Sequence, residues 1–124
     1  MKEIVAVVRM NMMNRTKAAL DEAGVDAFFA HEAQGRGKGF VNTALLEGAE
    51  SGYEEAAAML GEKGKLYPKR ILTVVVPDNA VDEVVETIIK ANQTGKPGDG
   101  KIFVTSLGDA VRVRTAETGE SSIV

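Results

Sequence analysis

Residues 74–104, VVVPDNAVDEVVETIIKANQTGKPGDGKIFV, decide the fold because they join a buried strand, an amphipathic helix and a glycine-rich turn to a second strand. The run of valines is typical of a strand that is covered on both faces. Apolar residues then recur at i, i+3, i+4, i+7 and i+8, which is the spacing of one helical face. They are Val81, Val84, Val85, Ile88 and Ile89. This stretch therefore predicts a helix packed on a sheet, followed by a tight return into a strand.

Strand and helix patterns alternate along the rest of the chain. EIVAVV at residues 3–8 predicts the first strand, and a helix that ends at Gly24 follows it. Residues 25–32 predict a second strand more weakly, and RILTVVV at residues 70–76 predicts a third. The order strand, helix, strand, long loop, strand, helix, strand is that of the ferredoxin-like α+β sandwich, βαββαβ, with helices on one face of an antiparallel sheet. Because the strands are apolar on both faces, we expect oligomerisation to cover the other face.

Composition restricts the possible class of protein. The chain has 124 residues, which we assign to a single domain, 1–124. Its 15 basic and 18 acidic residues give a net charge of −3, which argues against general nucleic-acid binding. There is no cysteine, so disulfides and thiolate metal sites are excluded. No signal peptide or membrane span is evident, so we expect a cytoplasmic protein.

The connection over residues 35–66 is unusually long for a compact domain. Structureless loops of more than about 15 residues are uncommon there and are often functional or disordered. Two interpretations stay open, a flexible insertion and an arm that meets a partner. The end of the chain, residues 117–124, is expected to be a flexible tail.

The turn that ends in Lys101 has the composition of an anion site. Gly95, Gly98 and Gly100 can adopt positive φ, so successive backbone N–H groups can converge on an anion, and Lys101 adds a positive charge. The same residues suit a plain tight turn between a helix and a strand, and the turn alone does not decide between the two. It is not a Walker motif, because a strand rather than a helix follows the lysine.

AVRVRT, residues 110–115, reads as a further strand with alternating faces. Arg112 and Arg114 would then lie on the same face, about 6.5 to 7 Å apart, where two guanidinium groups can grip neighbouring phosphates. Val111 and Val113 would face the core. The alternative is an exposed edge strand whose arginines serve solubility.

Further cations and glycines lie at the two ends of the long loop. GRGKG at residues 35–39 allows close approach of the backbone and contributes Arg36 and Lys38, while Lys69 follows Pro68 just before the third strand. His31 is the only histidine, and without cysteine a metal site or a catalytic triad would be hard to build. No general base is evident either, so we assign no catalytic residue and no metal site formed by the protein.

These clusters together resemble the PII family of nitrogen-signalling proteins. Residues 74–104 are similar to the signature block of the family nearly end to end, RVRT at residues 112–115 to the segment that closes its nucleotide site, and MKEIVAVVR to its first strand. The similarity covers about residues 1–50 and 67–117. It implies a homotrimer of ferredoxin-like subunits with ATP or ADP bound between neighbours, and it makes residues 35–66 the T-loop, which reports the ligand state to target proteins.

The resemblance also assigns roles to individual residues. ATP or ADP, with Mg²⁺ carried by ATP, would be held by Gly35, Gly37, Lys38, Gly98, Asp99, Gly100, Lys101, Arg112 and Arg114. The effector 2-oxoglutarate would contact Lys69 and the loop near Gly39.

Several positions depart from the family pattern. Gly39 stands where the family has a glutamine that helps to hold Mg²⁺ and 2-oxoglutarate. Phe29 and Thr73 stand where a threonine and a glutamate usually lie near the adenine. Ser51 aligns with the tyrosine that some bacteria uridylylate, so this modification is not carried over.

The form of the long loop resembles the nitrogenase-linked branch of the family, found in methanogenic archaea and some anaerobic bacteria, and the longer of its two paralogues. This implies a sensor rather than an enzyme, which binds dinitrogenase when 2-oxoglutarate is low and is released by 2-oxoglutarate with ATP. It would act as a homotrimer or together with a shorter paralogue. The alternatives are a PII protein with another target, such as an ammonium transporter or a biosynthetic enzyme, and a slow ATPase.

Overall fold

A computed structural model describes residues 1–37 and 66–124 of the chain. Within them lie four strands and two α-helices: β1 (Lys2–Arg9), α1 (Met13–Glu22), β2 (Phe29–Gly35), β3 (Tyr67–Val76), α2 (Val81–Asn92) and β4 (Lys101–Ser106). Short 3-10 helices at Met10–Met12 and Asp78–Ala80 lead into α1 and α2, and another lies at Gly119–Ser122. The predicted order of elements is confirmed.

The strands form one antiparallel sheet in the order β2-β3-β1-β4. β1 lies in the middle, with Ile4 opposite Val74 of β3 and Val104 of β4. Sequential strands β2 and β3 are neighbours across the long loop, whereas β4 returns to the far side of β1. The α+β ferredoxin-like class is therefore confirmed.

The core lies between one face of the sheet and the two helices. Alternate residues of the central strands are buried there, among them Ile4 and Ala6 of β1 and Leu72 of β3, each with 0% exposure. The helical spacing in α2 buries Val84 and Ile88 against them, as predicted. The two described helices thus pack on the same face of the sheet.

A buried polar contact joins the two helices. The side-chain amide of Asn92, the last residue of α2, donates to Thr16 Oγ1 in α1 at 2.9 Å, and the Thr16 hydroxyl donates to the Met12 carbonyl oxygen at 2.7 Å. Both residues are buried, so their polar groups need such partners. This bond fixes the end of α2, from which the glycine-rich turn departs.

The other face of the sheet carries apolar side chains that the described residues leave partly open. The register places Phe29, Thr73, Val5 and Phe103 in one row across β2, β3, β1 and β4. Phe29 is 70% exposed and Phe103 is 51% exposed. We name this surface the open face.

The prediction of a strand at AVRVRT is wrong. Residues 113–115 form a turn, and only an isolated bridge joins Val111 to Thr118. The amide of Ala116 donates to the Arg112 carbonyl oxygen at 2.7 Å, so the segment pairs with itself rather than with the sheet. Val111 and Val113 do not face the core, because their exposed fractions are 59% and 98%. Alternating valine and arginine residues are typical of a strand, but the described backbone bonds of this segment are made within residues 110–119 and not with the sheet.

The tail folds back on this segment. Its 3-10 helix, Gly119–Ser122, contains no buried residue. The Ser122 hydroxyl donates to the Ala110 carbonyl oxygen at 3.0 Å, and the Gly119 amide donates to the same oxygen at 3.0 Å. The predicted flexibility of residues 117–124 concerns motion and stays a prediction.

Candidate anion-binding site

The glycines of the turn between α2 and β4 adopt the backbone angles that the sequence predicted. Gly95, Gly98 and Gly100 have φ values of 83°, 98° and 112°, where side chains are disfavoured. Gly100 has a second constraint, because a Cβ atom there would lie 1.9 Å from the Val7 carbonyl oxygen of β1. Close contact with the central strand therefore fixes the place of the turn.

Asp99 closes the turn from within. Its Oδ2 accepts the backbone amides of Thr94 at 2.7 Å and Gly95 at 2.9 Å, and its Oδ1 accepts the Thr94 hydroxyl. Partial burial raises the pKa of this carboxyl group, but hydrogen bonds from Thr94, Arg9 and Gly95 outweigh it and hold the pKa at about 2. Asp99 is thus a fixed anion at neutral pH. Its carboxylate shapes the turn, which is a different task from binding a phosphate.

Arg9, at the end of β1, ties the turn to the sheet. Its Nη1 donates to Asp99 Oδ1 at 2.7 Å and its Nη2 to the Pro97 carbonyl oxygen at 2.9 Å. The side chains of Arg9 and Asp99 are 20% and 23% exposed, so this ion pair is partly shielded from water. Sequence reasoning missed Arg9, since its partners lie about ninety positions away and no local pattern marks it.

The internal bonds leave part of the turn available to an anion. They use the amides of Thr94, Gly95 and Lys96. The amides of the next three glycine-rich positions, residues 98–100, donate to no acceptor within residues 1–37 and 66–124. Positive φ values at Gly98 and Gly100, on either side of Asp99, are typical of backbone in which successive amides can converge on an anion. Lys101, which is exposed, follows at once.

The pairing of the strands places other residues that were predicted to bind ligands at the same end of the sheet as the glycine-rich turn. Lys101 is opposite Val7 near the end of β1, and Lys69 of β3 is opposite Arg9. Gly35 ends β2 next to this corner. Alternation along the strands places Lys69 and Lys101 on the open face, together with Arg9. Positive side chains from three strands therefore meet beside the turn.

The glycines at the start of the long loop are under weaker conformational constraint than those of the turn. Gly35 is half-buried, and a Cβ atom added there would meet nothing within 4 Å. Gly37 is exposed. Lys38 and Gly39, also assigned to the site, lie outside the described residues, as does most of the predicted T-loop.

Arg112 and Arg114 do not join this corner within the chain. β4 runs away from Lys101 for six residues, about 17 Å at 3.3 to 3.4 Å per residue. The next amide, that of Leu107, donates to the Met1 carbonyl oxygen at the opposite end of the sheet. Neither arginine bonds to the turn within the described parts of the chain. The predicted pair of phosphate ligands therefore starts from the far end of β4.

Arg112 already has partners in the tail. Its Nη1 lies 3.1 Å from Glu117 Oε1, and its Nη2 lies 2.7 Å from the Val124 carbonyl oxygen. Arg114, two positions on, is exposed, and it makes no such bond to any described residue. The guanidinium group of Arg112 is therefore bound within the chain, whereas that of Arg114 has no hydrogen-bond partner among the described residues.

The row that contains Phe29 and Thr73 lies next to the anion corner. These residues, expected near an adenine, are paired on β2 and β3. Phe103, in the same row, is two positions from Lys101, a distance of about 7 Å along the strand. Apolar rings and a cationic corner thus share the open face.

The comparison with family models decides the class. The family described as "Nitrogen regulatory protein P-II" matches residues 1–117, which include the turn and both arginines. The chain belongs to the P-II family. Its ferredoxin-like sheet and the resemblance noted in the sequence agree with this assignment.

Curated relatives of this P-II protein carry names from nitrogen fixation. A "Nitrogen fixation nifHD region GlnB-like protein 2" of Methanobacterium ivanovii is 44% identical over 129 residues, which cover 100% of both chains. The protein of that name from Methanococcus maripaludis is 41% identical and covers 99% of this chain and 100% of its own. A "Nitrogen regulatory protein P-II" of Rhodobacter capsulatus is 37% identical, with 99% and 100% covered. These relatives cover 99 to 100% of the P-II protein.

No helix in residues 1–37 and 66–124 is long and apolar enough to cross a membrane. In the same ranges, no group of three or more His, Asp or Glu side chains could hold a metal ion.

Proposed function

We propose that this P-II protein is a sensor that binds ATP or ADP and 2-oxoglutarate and passes the result to dinitrogenase through its T-loop. The observation that carries the proposal is the turn at residues 94–101, where glycines of positive φ and three amides without an acceptor among the described residues precede Lys101, in a chain of the nitrogen regulatory family.

Phosphate binding would use the turn as it stands. The amides of Gly98, Asp99 and Gly100 and the ammonium group of Lys101 supply donors to phosphate oxygens, while the Asp99 carboxylate keeps the turn closed. The Arg9–Asp99 bond and the close contact of Gly100 with β1 support this role, because they hold the backbone of the turn in place before a ligand binds. Gly35, Gly37 and Lys38 would approach from the loop base. Mg²⁺, when bound to ATP, would neutralise phosphate charge.

A second subunit would complete the site. Arg112 and Arg114 leave from the far end of β4, so they reach a phosphate most simply on a neighbour. The open face supports a homotrimer, because Phe29 and Phe103 would otherwise expose apolar rings to water. A mixed assembly with a shorter paralogue would use the same face.

The effector would bind beside the nucleotide. Lys69 lies opposite Arg9 at the same end of the open face, where its ammonium group could pair with a carboxylate of 2-oxoglutarate. Gly39 offers no side chain, so the effector would depend on backbone amides and on the nucleotide's Mg²⁺.

The output would be a population shift of the T-loop, residues 35–66. A ligand shifts such an equilibrium only by its differential affinity for the two states. Relatives named for the nifHD region favour nitrogenase as the target. We assign the protein to the cytoplasm and give it no catalytic step.

Calorimetry on the full chain tests the ligands. MgATP should bind, and 2-oxoglutarate should bind only in its presence and should weaken association with purified dinitrogenase. Failure of MgATP to bind would remove the nucleotide function. Binding of both ligands without any effect on dinitrogenase would instead point to another target.

Deletion of residues 42–62 separates the sensor from its output. We expect this variant to bind MgATP as the full chain does, since the turn and Lys101 are intact, and to lose dinitrogenase binding. Loss of trimer assembly, measured by sedimentation, would show that the loop is needed for structure instead.

A further inference from the structure

The tail occupies the guanidinium group that the proposed function needs. Arg112 Nη1 contacts Glu117 Oε1 at 3.1 Å, and Nη2 contacts three carbonyl oxygens. These belong to Ser121 at 3.3 Å, Ser122 at 3.4 Å and Val124 at 2.7 Å. The Arg112 side chain is only 28% exposed as a result. Its fork of donors is therefore directed into its own chain.

Carboxylate and carbonyl oxygens are the same kind of acceptor as phosphate oxygens. An arginine has five N–H donors in one plane, and every bidentate pairing with a phosphate uses at least one Nη atom. Here both Nη atoms are engaged, by Glu117 on one side and by the tail carbonyls on the other. A phosphate and the tail therefore compete for Arg112.

The tail is held in a way that permits release. Its 3-10 helix buries no residue, and Val124 is 80% exposed. Its anchors are exposed or part-buried hydrogen bonds, such as that from the Ser122 hydroxyl to the Ala110 carbonyl oxygen. Segments with few buried apolar contacts open at low free-energy cost. The match to the family ends at residue 117, so most of the tail lies beyond the part that the family shares.

We infer that residues 117–124 form an autoinhibitory latch that holds Arg112 away from nucleotide phosphates until they displace it. This inference rests on the proposed nucleotide function. The latch lowers the apparent affinity by the fraction of molecules in which Arg112 is open. For an open fraction of about 10%, removal of the latch strengthens binding about tenfold.

The test compares, by calorimetry, the MgATP affinity of the unmodified protein with that of variants of its tail. Deletion of residues 121–124 removes the three carbonyl acceptors, and Glu117→Gln removes the charge partner while leaving the chain length unchanged. Each should tighten MgATP binding, the deletion by about tenfold and the substitution by less. Glu120→Gln is the matched control, since Glu120 lies in the same tail and its side chain contacts no described residue, and its affinity should equal that of the unmodified protein.

Hydrogen exchange gives a second measurement that does not depend on any variant. The amides of Gly119 and Ile123 donate to the carbonyl oxygens of Ala110 and Glu120, so they report the closed latch. Saturating MgATP should speed their exchange. Faster exchange together with tighter binding in both variants supports the latch.

Two results would overturn the latch, and they differ in what they leave standing. If the unmodified protein binds MgATP and neither variant binds it more tightly, or if MgATP slows exchange at Gly119, the latch is wrong and the nucleotide function remains. If neither the unmodified protein nor the variants bind MgATP, the nucleotide function fails and the latch fails with it.

Discussion

The turn at residues 94–101 and the segment at residues 110–124 both carry cations that we assign to phosphate, yet they are stabilised differently. The Arg9–Asp99 ion pair and the contact of Gly100 with β1 fix the turn, so the backbone at Lys101 is in place before a phosphate binds. Arg112 is held by a surface tail that buries no residue. One half of the proposed site is thus preorganised by the core, and the other half is under the control of a detachable segment.

The largest effect should come from the contact between the turn and β1. Gly100→Ala places a Cβ atom 1.9 Å from the Val7 carbonyl oxygen at a φ of 112°, so the turn or the strand must shift. We expect the free energy of unfolding to fall by about 3 kcal/mol or more. Gly95→Ala is the control, because its φ is 83° but nothing lies within 4 Å of the new Cβ; about 1 kcal/mol is expected. Equal losses in urea denaturation would mean that the close contact does not fix the turn.

Asp99→Asn tests the carboxylate that closes the turn. The variant should lose about 1 to 3 kcal/mol of stability at pH 7, because the charge-assisted bonds from Arg9 and from the amides weaken. Asp26→Asn, a change at an exposed position outside the elements, should cost almost nothing.

The pH dependence of this effect has a defined sign. The folded-state pKa of Asp99, about 2, lies below its ordinary value of 3.8, so its contribution is complete above about pH 4 and is lost as the pH falls toward 2. At most about 2 kcal/mol is involved, less after solvent screening. The stability difference between the protein and Asp99→Asn should therefore shrink between pH 4 and pH 2; a constant difference would contradict this role of the charge.

Lys101→Ala tests the half of the proposed site that the core preorganises. Loss of the ammonium group should weaken MgATP binding by roughly 1 to 3 kcal/mol, the scale of a hydrogen bond to a charged group, with little change in stability. Lys90→Ala removes an exposed lysine from α2 and should leave the affinity unchanged. Equal affinities for the two variants in calorimetry would separate the turn from the nucleotide.

Arg112→Ala should have the smallest effect on stability. Its partners belong to a tail without buried residues, so the free energy of unfolding should change by less than about 0.5 kcal/mol, although MgATP affinity should fall. A loss as large as that of Asp99→Asn would show that the tail contributes to the core, and the contrast between the two regions would disappear.

Local patterns in the sequence were enough to predict the framework and the turn. The spacing of Val84 and Ile88 predicts the buried face of α2, and the glycines before Lys101 predict positive φ. In both cases the physical cause lies within a few residues of the pattern. The same holds for β1 and β3, since each carries its own apolar run, whereas β2 has none and was predicted only weakly.

Patterns failed where distant partners decide the structure. Arg112 and Val113 alternate as in a strand, but the backbone amide of Arg112 donates to the Glu117 carbonyl oxygen, so the segment closes on itself instead of joining the sheet. Arg9 gave no signal, because only folding brings it to Asp99. The bonds between Arg112 and the tail were not predicted for the same reason. Their acceptors are backbone carbonyl oxygens, which every residue has, so no sequence pattern identifies them.

The Arg9–Asp99 ion pair spans 90 positions of the chain, which has a consequence for folding. Contacts of such separation carry a loop-closure cost, so we expect the turn to reach its final shape together with the pairing of β1 and β4. A peptide of residues 93–101 would lack Arg9 and the wall of β1 and is not a substitute for the site. Capture of an anion by this turn would therefore report a completed sheet.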